Sequence, residues 1–183
     1  MEYRNNSSPI QTHIMTRQEK QRIIQAKQQY SRAKYPSITP QQDSFDHYGR
    51  TDTTANGLTA CVCDYLKYEG HQAERVSNQG QARVNKVIDG LTGQQIGNRT
   101  QGVTFTPGQG TRGTADIHST IGVMIGGHKV GISVKIEIKM KDKQSEAQKK
   151  YQESITASGG VYVIVHSMDE FFRFYDNLLN KYQ

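Results

Sequence analysis

The chain has 183 residues, enough for one domain with an appendage and a core of modest size. A formal charge of +6 and a pI near 9.3 favour a polyanionic partner, while 34% hydrophobic residues and a mean hydropathy of −0.75 point to a compact apolar part beside a polar remainder. No stretch approaches the roughly 18 to 20 apolar residues of a membrane span, and MEYRNNSS does not read as a secretory signal.

Residues 1–53 read as a basic arm and linker. Thr16-Arg-Gln-Glu19 predicts a capping box, with a helix continuing to about Lys34. That helix carries Arg17, Lys20, Arg22, Lys27, Arg32 and Lys34 against a single acid, Glu19, and only a thin apolar stripe. It is expected either to dock loosely on the domain as a solvated helix or to embrace nucleic acid. Pro36, Pro40 and several Gln, Asp and Thr mark 36–54 as a linker.

A compact domain is expected over 54–183. Leu58, Cys61, Val62, Tyr65 and Leu66 recur at the spacing of one helix face, and Gly70 follows as a terminator. Cys61 and Cys63 do not form a disulfide framework and read as reduced, structural thiols of a cytosolic protein. A short strand is expected at 71–77. The Gly-, Gln- and Thr-rich stretch 78–113 reads as a partly ordered, substrate-facing loop. Within it Gly108-Gln-Gly-Thr-Arg-Gly113 matches a dinucleotide-binding pattern but leads into a strand instead of opening a helix, so a nucleotide cofactor is not expected.

Two strands, 114–125 and 128–141, flank the Gly126-Gly127 turn pair. Ser145-Glu-Ala-Gln148 is a capping box that opens a helix ending before Gly159-Gly160. A buried strand follows at 161–166. Ser167-Met-Asp-Glu170 then caps a final helix with Phe171, Phe174, Tyr175, Leu178 and Leu179 on one face.

A two-residue turn sets Ile125 opposite His128, and stepping back along both strands brings Asp116 opposite Glu137. Ile117, Ile121, Val123, Val130, Ile132, Val134, Ile136 and Ile138 then share one face; Thr114, His118, Ser133, Lys135 and Lys139 join the two acids on the other. Carboxylates about 5 Å apart repel by roughly 3 kcal/mol at an effective dielectric near 20, so something must compensate. Lys135 and Lys139 could do so as plain ion pairs. Alternatively the acids chelate a hard divalent cation through oxygen and leave positions open for water and a phosphate, with Lys139 serving the attacking water.

Asp116, a spacer of about twenty residues and Glu137-Ile-Lys139 resemble the PD-(D/E)xK nuclease motif. Gly113-Thr-Ala-Asp116, Glu137-Ile-Lys139, Ser145-Glu-Ala-Gln148 and Ser158-Gly-Gly-Val-Tyr-Val-Ile-Val165 resemble more narrowly the VRR-NUC branch, as does Arg75-Val-Ser-Asn78 followed by Gly80. The resemblance covers roughly 54–180. It implies an α/β fold with a restriction-endonuclease-like αβββαβ core, a central mixed sheet flanked by helices. It also implies Mg²⁺ or Mn²⁺ held by Asp116, Glu137 and the main-chain carbonyl of Ile138, with Lys139 and Gln148 completing the catalytic set. Ala115 stands where the nominal motif has Pro, a position that shapes the turn and supplies no ligand.

Gln148 has a competing role as the capping residue of its own helix. Arg75, Arg112 and Lys135 are candidates for gripping phosphates. DNA is the substrate the resemblance implies, and a homodimer would suit a symmetric branched one. The rival readings are a catalytically silent nucleic-acid-binding module and an assembly protein that keeps the fold.

Overall fold

The computed structural model describes residues 14–37, 46–76, 81–106 and 110–182. Among them run, in chain order, α1 (Arg17–Lys34), α2 (Ala55–Tyr68), β1 (Gln72–Arg75), β2 (Gln81–Ile88), β3 (Gln95–Thr106), β4 (Ile117–Ile125), β5 (His128–Ile138), α3 (Glu146–Ala157), β6 (Val161–Val165) and α4 (Met168–Asn180). Ser77, Asn78 and Gly80, and Gly108 and Gln109 of the glycine pattern, lie outside the described residues.

The central sheet has the order β1-β4-β5-β6. β1 and β5 run antiparallel to β4, and β6 runs parallel to β5, so the sheet is mixed and the architecture is α/β. The β4–β5 register follows from its turn. Gly126 (φ 57°) and Gly127 (φ 82°) both adopt positive φ, as a type I′ turn requires, and Ile125 pairs with His128. Every later pair keeps step down to Ile117 opposite Ile136. Regular pairing with β4 ends there, and the two strands themselves begin at Ile117 and end at Ile138, each three residues short of the expected 114 and 141.

One face of this hairpin is the core face. Ile117, Ile121, Val123, Val134, Ile136 and Ile138 are buried against Leu58, Cys61, Val62, Tyr65 and Leu66 of α2 and Met168, Phe171, Phe172, Tyr175 and Leu178 of α4. Each such side chain contributes roughly 1.5–3 kcal/mol by leaving water. In α4 the buried stripe is rotated from the expected one: Phe172 and Met168 are inside, whereas Phe174 and Leu179 are only partly buried. Cys61 and Cys63 are free thiols.

The helix expected either to dock loosely on the domain or to embrace nucleic acid packs against the core through its apolar stripe. Ile23 and Ala26 of α1 are buried, and Arg22 forks onto the Asp176 carboxylate at 2.9 and 2.5 Å while donating to the Tyr65 hydroxyl at 2.9 Å. Its guanidinium also lies 4.3 Å from the Phe172 ring centroid. Asp52, in the stretch read as linker, is buried and accepts from the Met15 N–H at 2.9 Å and the Met168 N–H at 3.2 Å. The thin stripe was enough because Arg22 adds a charge-assisted anchor that hydrophobic periodicity does not register.

The stretch 78–113, read above as a loop, contains a second, two-stranded sheet of β2 and β3. Ala82 pairs with Phe105 and Val84 with Val103, and the register shifts between Val84 and Lys86 and again between Lys86 and Ile88. Those shifts break the alternation that would have betrayed the strands. Asp89 fixes the turn by accepting from the Leu91 and Thr92 N–H groups at 2.8 and 3.1 Å. No helix among the described residues is long and apolar enough to cross a membrane.

Candidate active site

The second face of the β4–β5 hairpin is polar, and α3 lies over it. Asp116 is the residue just before β4. Its backbone carbonyl accepts from Val76 N–H at 2.8 Å, extending the pairing from β1, and its carboxylate Oδ2 accepts from the Ile138 N–H at 2.9 Å. The regular ladder therefore gives way, at its end, to a side-chain bond that ties Asp116 to the Glu137-Ile-Lys139 segment.

Glu137 is 2% exposed. Its two oxygens differ sharply. Oε1 accepts from the Gln148 amide and from the Lys139 ammonium, the latter at 3.1 Å. Oε2 is buried and takes no hydrogen bond. Burial, followed by the charge of Asp116, pushes the Glu137 carboxyl above the usual carboxylate range, and Lys139 opposes that push without cancelling it. A buried carboxylate oxygen left unpaired is costly and calls for a reason, a bound ion or a catalytic role among them.

Gln148 resolves its two expected roles by performing both. Its amide oxygen accepts from the Ser145 N–H at 2.9 Å, and the Ser145 hydroxyl accepts from the Gln148 N–H at 3.3 Å, completing the capping box. The amide nitrogen of the same side chain donates to Glu137. The first turn of α3 can come so near because Gly113, with φ +81°, lies beneath it: a Cβ there would sit 2.4 Å from the Ala147 carbonyl and 2.6 Å from the Gln148 nitrogen.

Asp116, Glu137, Lys139 and Gln148 are thus brought together, with the Ile138 N–H among them. Lys135 is one step along the same face, opposite His118 on β4 and Tyr162 on β6. His118 meets the Tyr151 hydroxyl at 3.1 Å, and burial with Lys135 nearby holds its pKa below the ordinary value. Arg75 closes β1 opposite Ile117 and donates to Asn56 at 2.6 Å. Arg112 is exposed in the turn before Gly113.

Among the described residues no cluster of three or more His, Cys, Asp or Glu could hold a metal ion. A cation here would rest on two carboxylates, a main-chain carbonyl and water. That set suits Mg²⁺, which keeps several waters and uses one or two carboxylates. The unpaired Glu137 Oε2, on a carboxylate that feels the charge of Asp116, fits such an ion.

Sequence reasoning missed Tyr162. Val161-Tyr-Val-Ile-Val165 reads as a uniformly buried strand, yet the parallel pairing of Lys135 with Tyr162 and Glu137 with Ile164 turns Tyr162 to the polar face. The one signal was a phenol within an apolar run. No family model, curated protein or solved structure matches the chain.

Proposed function

We propose that this chain is a metal-dependent nuclease that hydrolyses phosphodiester bonds in DNA, built on the PD-(D/E)xK plan and resembling its VRR-NUC branch. The observation that carries the reading is the buried Glu137 carboxylate, one oxygen held by Lys139 and Gln148 and the other without a hydrogen bond, in a side chain that feels the charge of Asp116. The succession α2, β1, β4, β5, α3, β6 supports it, being the αβββαβ order the resemblance implies once the inserted β2–β3 ribbon is set aside.

Asp116, Glu137 and the Ile138 carbonyl would hold Mg²⁺ or Mn²⁺. In an extended strand the carbonyl and N–H of one residue face the same edge, and the Ile138 N–H already faces Asp116. When bound, the cation would acidify a coordinated water and neutralise charge on the phosphate. The chain's own residues do the positioning. Ile138 N–H orients Asp116, Gln148 and Lys139 fix Glu137 Oε1, and the Lys139 ammonium lies where it can hold the attacking water and phosphoryl oxygens. Water oxygen bonds to phosphorus, the phosphorus–ester oxygen bond breaks, the attacking water's proton passes to solvent and the leaving oxygen takes one back. Arg75, Arg112 and Lys135 would steady flanking phosphates, and a homodimer would suit a symmetric branched substrate.

The test is incubation with branched, single-stranded and duplex DNA in Mg²⁺ or Mn²⁺, beside Asp116→Asn and Glu137→Ala. Loss of a supporting residue at a metal site costs about 10–100-fold, so each variant should lose at least about 100-fold in cleavage. Equal cleavage by wild type and both variants would reject the assignment. Binding without cleavage by the wild type would replace it with a silent nucleic-acid-binding module.

A further inference from the structure

Among the described residues, the buried side-chain polar atoms without a hydrogen-bond partner are Glu137 Oε2 and the Tyr162 hydroxyl. They belong to one face of adjacent strands. Lys135 pairs with Tyr162 and Glu137 with Ile164 across the parallel β5–β6 ladder, which makes Tyr162 the diagonal neighbour of Glu137. The ring is partly exposed and its hydroxyl is buried; the Tyr151 ring packs edge-on against it with centroids 6.2 Å apart. Burial first and the Glu137 charge second push the phenol well above its ordinary pKa, so it stays protonated and each group acts on the other's ionisation.

Two groups of opposite hydrogen-bonding character, diagonal neighbours on one sheet face and close enough to act on each other, set a chemical specification for anything bound against them, with Gln144 also near the phenol. Such an occupant must offer a positive pole to the carboxylate oxygen and a polar group to the phenol at once. A bare cation meets the first demand only, a water molecule alone brings no positive charge beyond the one Lys139 sets on Oε1, and a hydrated divalent cation meets both. We propose that Tyr162 is a further residue of this site, its hydroxyl hydrogen-bonding a water molecule coordinated to the divalent cation that Glu137 binds. The proposal rests on the cation reading given under Proposed function. Tyr162 is a positioning residue: it acts on the orientation of the coordinated water, and Glu137 supplies the bond to the ion.

The experiment is calorimetric titration of Mn²⁺ into the full chain without nucleic acid, for wild type, Tyr162→Phe and Glu137→Ala, with the tyrosine ultraviolet difference spectrum recorded at each addition. Removal of such a supporting hydrogen bond is expected to weaken Mn²⁺ binding roughly 10-fold. It should also abolish the cation-induced tyrosine signal seen in the wild type and leave the cation-free melting temperature of Tyr162→Phe no lower. Wild-type Mn²⁺ affinity and an unchanged difference spectrum in Tyr162→Phe, with binding lost in Glu137→Ala, would overturn the role of Tyr162 and leave the cation site standing. Absence of Mn²⁺ binding by the wild type would overturn both.

Discussion

At the scale of single residues, Glu137 shows how a site is built from unequal oxygens. Two donors converge on Oε1, and Oε2 is withheld from the protein's own hydrogen bonds. The cost of this arrangement falls on the cation-free chain. Glu137 has a folded-state pKa raised above its unfolded value, so it binds its proton more tightly when folded. Its contribution to stability is therefore full below the unfolded pKa, near 4.5, and is lost as pH rises through the raised folded value. Glu137→Gln cannot ionise, so in chelator the wild type should lose stability relative to that variant as pH climbs above about 4.5. Urea unfolding at several pH values measures the difference, and a difference that stays flat or runs the other way refutes the burial argument. The register that carries Asp116 toward the Glu137 segment was legible because the glycine turn fixes it and every pair down to Ile117 opposite Ile136 preserves it. The bond from Ile138 N–H to Asp116 was not, because it forms where the ladder has already ended and no periodicity speaks for it.

At the scale of elements, α3 links a helix start to the acidic site through a single amide. The alternatives for Gln148 looked exclusive in sequence because a capping box accounts for only the oxygen of the side chain. Gln148→Glu separates the two functions: a Glu at that position still caps Ser145, but it offers no donor to Glu137 and adds a like charge. Far-ultraviolet circular dichroism should be unchanged, while cleavage should fall at least about 10-fold. Retained cleavage would reduce Gln148 to a helix cap. Capping boxes at Thr16 and Ser145 were readable because their partners lie three residues apart. At Ser167 only half of the expected box forms. Ser167 accepts from the Glu170 N–H, but the Glu170 carboxylate reaches one residue farther, to the His166 N–H at 2.9 Å and its ring at 2.8 Å. The ribbon of β2 and β3 escaped detection for the opposite reason, since a glycine-rich composition and two register shifts hide strands that periodicity would otherwise mark.

For the whole molecule, the decisive departure from the sequence reading is α1. A stripe of few apolar residues suggested loose docking, yet Ile23 is fully buried among α2 and α4 side chains. Ile23→Ala should therefore destabilise the chain by about 2–5 kcal/mol in denaturant titration, the range for truncating a buried isoleucine. A change under about 0.5 kcal/mol, the usual size for exposed positions, would return α1 to the status of an external arm. The mixed sheet itself was largely readable, because alternation and turn glycines are written locally. The seat of α1 was not, since Arg22 meets Asp176 across 154 positions of chain. That separation has a consequence for the order of events as the polypeptide emerges. The first helix of the described chain cannot take its final place until the last one exists, because Asp176, Phe172 and the Met168 amide that Asp52 grips all belong to α4. The α1 segment reaches its final seat only after α4 has been made, so a late step of folding joins two elements that lie far apart along the chain.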